Sequence, residues 1–300
     1  MSPRPERWLV ITARVPSEEL RDAVAEGLVA LGGSAVEERN GELITYLPAD
    51  EHDAGAFGEA LNRFVSAAVE IEARVEADSD WSERWKAGLA PRRIGNSIVV
   101  APTWTEPELQ PGDVLVSIDP EMAFGTGEHA TTRSALRLLE RVVKPGAEVL
   151  DVGTGSAVLA IAAAGLGAGH VLAVENDPDA VLNARDNIVR NHADEVVEID
   201  LATVDEAYCA RFGARFDVIV ANVLSGIIRP LLPVFRSVLK PHGRVVIGGI
   251  LVSEGETMQS AAEANGFTVE AVEVEEEWWT ALLAPVAREA GSAPETVRSR

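Results

Sequence analysis

The spacing of apolar positions divides the chain into two patterned halves. Residues 8–15, WLVITARV, read as a strand. They are followed by Pro16, by Ser17 as a candidate N-cap, and by a helical period that stops at Gly32-Gly33. Short strands at 34–39 and 42–47 flank Asn40-Gly41, a strong two-residue hairpin signal. A helical stretch over about 52–68 leads to an alternating strand at 71–77. The order β-α-β-β-α-β predicts a small ferredoxin-like α+β domain over residues 1–77, better suited to docking than to catalysis.

Beyond Ala147 the pattern changes. Short, continuous apolar runs (AEVLDVG, HVLAVEND, FDVIVANV, GRVVIGGI) alternate with helical periods and end in an antiparallel pair. Strands apolar on both faces and separated by helices predict a doubly wound, Rossmann-like α/β domain over 120–286. Residues 78–119 fit neither pattern and are expected to be a linker, with Trp81, Trp85 and Trp104 packing it down and Arg84, Lys86, Arg92 and Arg93 on a solvated face. Residues 287–300 lack periodicity and are expected to form a mobile tail.

Charge narrows the partners. With Lys+Arg 26 against Asp+Glu 48 the formal charge is −22, which disfavours direct binding to nucleic acid or anionic membranes. No apolar run reaches the roughly 20 residues of a membrane span, and the first residues lack a signal-peptide core. A cytoplasmic protein is expected. The single Cys209 and five scattered histidines offer no zinc-ligand spacing, so no metal is expected.

The sharpest chemical signal is the strand-turn-helix passage DVGTGSAVLAIAA, which starts at Asp151. Gly153 and Gly155 allow the backbone to approach a ligand, and the helix start presents free N–H groups. Glu175 ends the next strand, 20 residues beyond Gly155, where such folds place a carboxylate that accepts from ribose hydroxyls. This predicts an adenosine-type cofactor. The dinucleotide fingerprint is broken because Val158 stands where its third glycine belongs, which argues against NAD. The D-x-G-x-G-S form resembles motif I of class I S-adenosylmethionine (SAM) methyltransferases, and an acidic Asp151 beside the turn suits a neutral or cationic ligand.

Further motifs carry a narrower resemblance. The element DPEMAFGTGEHATT (119–132), the Asp177-Pro178 pair, ARDNIVRN (184–191), VANVLSG (220–226), GGIL (248–251) and EEEWW (275–279) resemble the PrmA family of bacterial ribosomal protein L-eleven methyltransferases. DWSERWK and the small amino-terminal domain are similar to that family too. The resemblance implies a SAM-dependent protein N-methyltransferase acting on lysine or α-amines of a ribosomal protein, with SAM as cofactor and residues 1–77 holding the acceptor. It implies SAM contacts from Thr132, Gly153, Glu175 and Asn222, with Gly155 in the same turn. Phe124 either covers the methionine end of SAM or anchors its loop. Motif I in the family continues S-G, whereas Ala157 here adds a methyl group where backbone and ligand approach closely. Asn222 is not followed by the Pro-Pro-Tyr type of clamp, which points to an aliphatic amine acceptor. His129 is the best candidate base on chemistry, with holding the loop as the equal alternative, and no catalytic residue is assigned. A monomer is expected. The competing readings are an NAD-dependent oxidoreductase and a SAM-binding protein without transferase activity.

Overall fold

The computed structural model describes the chain except for residues 1–6, 16, 18–19, 34–35, 40, 51, 66, 78–89, 120–128 and 287–300. The chain divides into two compact units, Met1–Gly88 and Leu89–Arg300.

In the first unit β1 (Arg7–Arg14), α1 (Arg21–Ala30), β2 (Val36–Arg39), β3 (Glu42–Pro48), α2 (Ala54–Val65) and β4 (Glu70–Ala77) follow the predicted order. The antiparallel sheet runs β2-β3-β1-β4. Leu9, Ile11 and Ala13 project from one face of β1, as a period of two requires, and pack with Val24, Leu28 and Leu61 of the helices. α1 starts later than Ser17 implies. Leu20 N–H donates to the Ser17 carbonyl at 3.0 Å, and the α-helix proper opens at Arg21 without a side-chain cap. It stops as predicted. Gly32 takes φ +99° and Gly33 N–H donates to Leu28 at 3.0 Å, satisfying a terminal carbonyl. Arg39 pairs directly with Glu42 across the predicted two-residue turn; of that turn Asn40 lies outside the described residues and Gly41 has φ +82°.

The second unit corrects the reading of 78–119 as one linker. Residues 78–89, with Trp81, Trp85, Arg84 and Lys86, lie outside the described residues, but β5 (Arg92–Ile94), β6 (Ile98–Pro102) and β7 (Val114–Ile118) form a three-stranded sheet. Its apolar residues Ile94, Ile98, Val100, Val116 and Ile118 belong to the same core as the helices that follow. Burial of these short runs outweighs the turn-rich composition around them.

The main sheet is built from α3 (Ala130–Val142), β8 (Glu148–Val152), α4 (Val158–Gly165), β9 (His170–Glu175), α5 (Pro178–Arg190), β10 (Val197–Leu201), α6 (Glu206–Cys209), β11 (Phe216–Asn222), α7 (Ser225–Val238), β12 (Leu239–Leu251), α8 (Val252–Ala264), β13 (Phe267–Glu275) and β14 (Trp278–Pro285). Its order is β10-β9-β8-β11-β12-β14-β13, parallel through β12, with β14 antiparallel to both of its neighbours. Alternate residues feed two cores: Val149 and Val171 join α4 on one face, while Leu150, Val152 and Leu172 join α7 on the other. The strand order reverses between β8 and β11, which is where a doubly wound sheet opens a crevice at its carboxyl edge.

Candidate active site

A cavity of about 580 Å³ opens at that switch point, within the size range of small-molecule sites. Thr132, Gly153, Gly155, Glu175 and Asn222 all line it. Of the predicted site residues only Phe124 lies outside the described residues.

One wall is the glycine turn. Gly153 has φ +70° and Gly155 +54°, left-handed values that favour glycine. A Cβ on Gly153 would come within 2.5 Å of the Val223 side chain, so that position is closed to any larger residue. Gly153 and Thr154 both donate their N–H groups to the Val174 carbonyl, at 2.9 and 3.1 Å. Glu175 does more than line the cavity. Its carboxylate accepts from the N–H groups of Gly155 (2.9 Å), Asn176 (2.8 Å) and Asp177 (3.1 Å), so one side chain staples the turn to the end of β9. Capacity remains for a ligand hydroxyl, since two carboxylate oxygens offer about four acceptor positions.

Asp151 does not face the ligand. Its side chain is fully buried beneath the turn and is absent from the cavity wall, accepting from the Thr154 hydroxyl at 2.6 Å. Burial pushes its carboxyl up to about 7, against the Thr154 hydrogen bond and with a smaller push from Glu175. Contrary to the expectation from the sequence, its charge therefore says nothing about the ligand. Ala157 is likewise redirected. It caps α4 in a left-handed conformation, φ 67° and ψ 17°, with its methyl fully buried in the core and away from the cavity.

The facing wall comes from distant segments. Thr132 sits fully buried in the first turn of α3, its hydroxyl 3.5 Å from the Asn222 side-chain nitrogen. Asn222 Oδ1 is buried and finds no hydrogen-bond partner among the described residues. Gly248 makes room for it, because a Cβ there would lie 2.8 Å from that oxygen. His129 caps α3: its Nδ1 accepts from the Thr131 backbone N–H at 3.4 Å and lies 2.8 Å from the Thr131 hydroxyl. Burial lowers its pKa, with Arg133 adding to the effect and Glu276 opposing it. In the neutral ring only one nitrogen carries a lone pair, and at His129 the backbone cap uses it. The holding role is thus the one that the geometry supports. Trp278 stands edge-on to His129 at 4.9 Å and also lines the cavity. Behind them Arg133 reaches Glu275 (2.6 Å) and Glu276 (3.1 Å), and Arg137 pairs with Glu273 and Glu275, tying α3 to the β13–β14 hairpin.

Comparison with known proteins fixes the family. The family model described as ribosomal protein L11 methyltransferase (PrmA) matches residues 17–284. The chain belongs to this family. A ribosomal protein L11 methyltransferase of Desulforapulum autotrophicum is 42% identical over 218 residues, covering 72% of this chain and 70% of that one. One from Pelobacter propionicus is 34% identical over 300 residues, covering 90% and 93%. A crystal structure of the ribosomal protein L11 methylase from Lactobacillus delbrueckii subsp. bulgaricus superposes with a TM-score of 0.58 at 30% identity, covering 66% of this chain and 99% of that one.

As a member of the PrmA family the chain is a SAM-dependent methyltransferase, and its cavity suits that cofactor. The glycine turn allows a close backbone approach, the Glu175 carboxylate keeps acceptor capacity toward the cavity, and the buried Asn222 Oδ1 has no hydrogen-bond partner among the described residues, so the wall has the polar groups such a ligand needs. Three parts of the site were not assigned to it from the sequence, although Leu224 and Trp278 lie inside motifs of the family resemblance. Trp278, the Ala202–Val204 stretch after β10, and Leu224 with Ile227 all line the cavity. A tryptophan at the tip of a hairpin carries no periodic signal, and only the position of β10 in the sheet brings 202–204 to the crevice.

Proposed function

We propose that this enzyme transfers methyl groups from SAM to amines of ribosomal protein L11, the lysine side chains, the N-terminal α-amine or both. The observation that carries this reading is the convergence of Thr132, Gly153, Gly155, Glu175 and Asn222 on one cavity at the switch point of a methyltransferase-family sheet. In this assignment Gly153 and Gly155 let the backbone approach the cofactor, Glu175 accepts from its ribose, and Thr132 and Asn222 hold its polar end, with Phe124 nearby in sequence. Bound SAM supplies an electrophilic methyl on a sulfonium. The task left to the chain is to keep a neutral amine aligned for in-line displacement and to exclude water.

An acceptor lysine starts from a pKa of about 10.4 and must lose its proton first. Entry into an apolar cavity wall favours the neutral amine. With His129 Nδ1 committed to the α3 cap, the chain needs no dedicated base on this reading.

An acidic enzyme also complements a small basic acceptor, the net charge of −22 disfavours direct contact with nucleic acid, and a cytoplasmic monomer is the simplest form of the catalyst. In this reading the unit formed by residues 1–77 holds the acceptor. The nicotinamide alternative and the inactive SAM-binder find no support in the family to which the chain belongs.

Mass spectrometry of purified L11 incubated with the enzyme and SAM tests the proposal: mass increments of 14 Da, one per methyl, are expected on amines, and an unmodified acceptor would refute it. The same assay on a chain beginning at Asp78 should show SAM affinity retained and acceptor methylation largely lost.

A further inference from the structure

The carboxyl edge of the second unit carries apolar side chains that its own core does not use. Leu224 is 67% exposed, Ile227 49%, Leu251 40% and Val252 46%. Single exposed aliphatics are ordinary, but a group of them on one edge beside a cavity marks an interaction site.

Four contacts make these residues neighbours. The Glu254 carboxylate accepts from the Ser225 hydroxyl at 2.6 Å and from Leu251 N–H at 3.4 Å, so it joins the start of α7 to the start of α8. Val252 N–H donates to the Glu277 carbonyl at 2.9 Å, which joins α8 to the tip of the β13–β14 hairpin. Leu251 also pairs across the sheet with Trp278. Leu224, Ile227 and Trp278 line the cavity, so the apolar strip runs from the cavity mouth outward to Leu251 and Val252.

Residues 245–286 contain eight glutamates and no lysine or arginine. Glu270, Glu273, Glu275 and Glu276 pair with Arg244, Arg137 and Arg133, whereas Glu256, early in α8, and Glu277, in the turn before β14, are exposed and border the strip. On the α7 side Arg229 is the one basic residue between 216 and 235. An apolar strip bordered by carboxylates fits a segment that is itself basic with interspersed apolar side chains.

We propose that the strip Leu224–Ile227–Leu251–Val252, with its glutamate border, is the surface on which the amine-bearing segment of the basic acceptor protein lies while its amine enters the cavity. The inference rests on the reading of the enzyme as a protein amine methyltransferase and adds where on the larger unit the acceptor is held. Leu251 and Val252 lie outside the cavity wall, so substitutions there separate acceptor docking from cofactor binding.

The test measures steady-state methylation of purified L11 by wild type, by Leu251→Ser/Val252→Ser and by Glu277→Lys, alongside SAM Kd by calorimetry. The double variant should raise KM for L11 by about ten-fold while kcat at saturating acceptor and SAM Kd stay within about two-fold. Glu277→Lys should raise the same KM and make it less sensitive to salt. Should the double variant fold poorly, seen as a weakened SAM Kd, Glu277→Lys decides alone. Unchanged KM in a variant that binds SAM normally, with wild type active on L11, overturns the docking surface and leaves the methyltransferase reading intact. A wild-type enzyme that transfers no methyl to L11 overturns both.

Discussion

The two walls of the cavity are built on opposite plans. The glycine-turn wall comes from one continuous stretch, Asp151 to Asp177, and is held by backbone groups: Val174 accepts twice, and Glu175 accepts three times. The facing wall is assembled from α3, the end of β11 and the β13–β14 hairpin, and is held by side-chain ion pairs between residues as far apart as Arg133 and Glu275. One acid from each side, buried Asp151 and half-buried Glu275, shows the contrast most directly. Among the described residues no cation perturbs Asp151, and burial drives its carboxyl up to about 7. Burial also opposes ionisation of Glu275, yet hydrogen bonds from Arg137 and Arg133 outweigh it and hold that carboxyl below its ordinary range. A wall made of local backbone bonds can tolerate a poorly solvated acid beneath it, whereas a wall joined across the sequence depends on its charges.

The largest expected effect follows from Asp151. Because its folded pKa is raised, the native state holds a proton that the unfolded chain has already released. The stability this group supplies is fully present below about pH 4 and is lost as pH rises through about 7. The upper bound of the loss is about 4 kcal/mol. Asp151→Asn removes the titration while keeping an acceptor for the Thr154 hydroxyl. Urea midpoints should therefore show the variant gaining on wild type between pH 5 and pH 8. Parallel curves for the two proteins would mean that Asp151 is not the proton-linked group.

Next comes the facing wall. Glu275→Gln removes the carboxylate that Arg133 and Arg137 share, while their pairs with Glu276 and Glu273 stay, at a cost of about 3 kcal/mol for a largely buried pair. Denaturant unfolding at pH 7 checks the stability loss. Calorimetry should show SAM affinity falling with it, because α3 carries Thr132. A variant with normal stability and normal SAM affinity would show that the hairpin does not fix this wall.

The difference in plan also explains what could be read from the sequence. The turn, its acid at Glu175 and the strand-end Asn222 are each contained within a few residues of a buried strand, and the structure brings all three to one cavity. Asp151 was misjudged although its period-of-two position was available: it follows Val149 by two and so points with it toward the α4 side, away from the crevice. The β5–β7 sheet was missed because three- to five-residue strands among turn residues give too short a pattern. The ion pairs behind the facing wall could not be read, since nothing in the spacing of Arg133 and Glu275 announces that they meet; Thr132 on that wall came from the family resemblance. In the small unit Gly32 and Gly41 take the left-handed backbone that their turn positions suggest, whereas α1 does not start from a Ser17 cap.

A somewhat smaller effect is expected at Glu175, and it sharpens the comparison within the first wall. Glu175→Ala removes the proposed ribose acceptor and the turn staple together, so SAM affinity should fall by about 10- to 150-fold, or about 1.5–3 kcal/mol. Calorimetric titration of the variant measures this. Retained affinity would show that the backbone bonds to Val174 suffice to hold the turn and that the ribose finds its acceptor elsewhere.

The smallest effect belongs to Ala157, where two opposing terms nearly cancel. Its left-handed backbone costs an L-residue roughly 1–2 kcal/mol, a cost that Ala157→Gly removes. The same change deletes a fully buried methyl and loosens the unfolded chain, which together oppose by a similar amount. Thermal unfolding should thus move by less than about 1 kcal/mol in either direction. SAM affinity should not move, because the methyl lies in the α4 core and not on the cavity wall. Ala157→Val tests the same geometry harder: a branched side chain in a left-handed, fully buried position should destabilise the fold clearly while SAM still binds the folded fraction normally. A Val variant of wild-type stability with weakened SAM binding would reverse the assignment and put the side chain at the ligand.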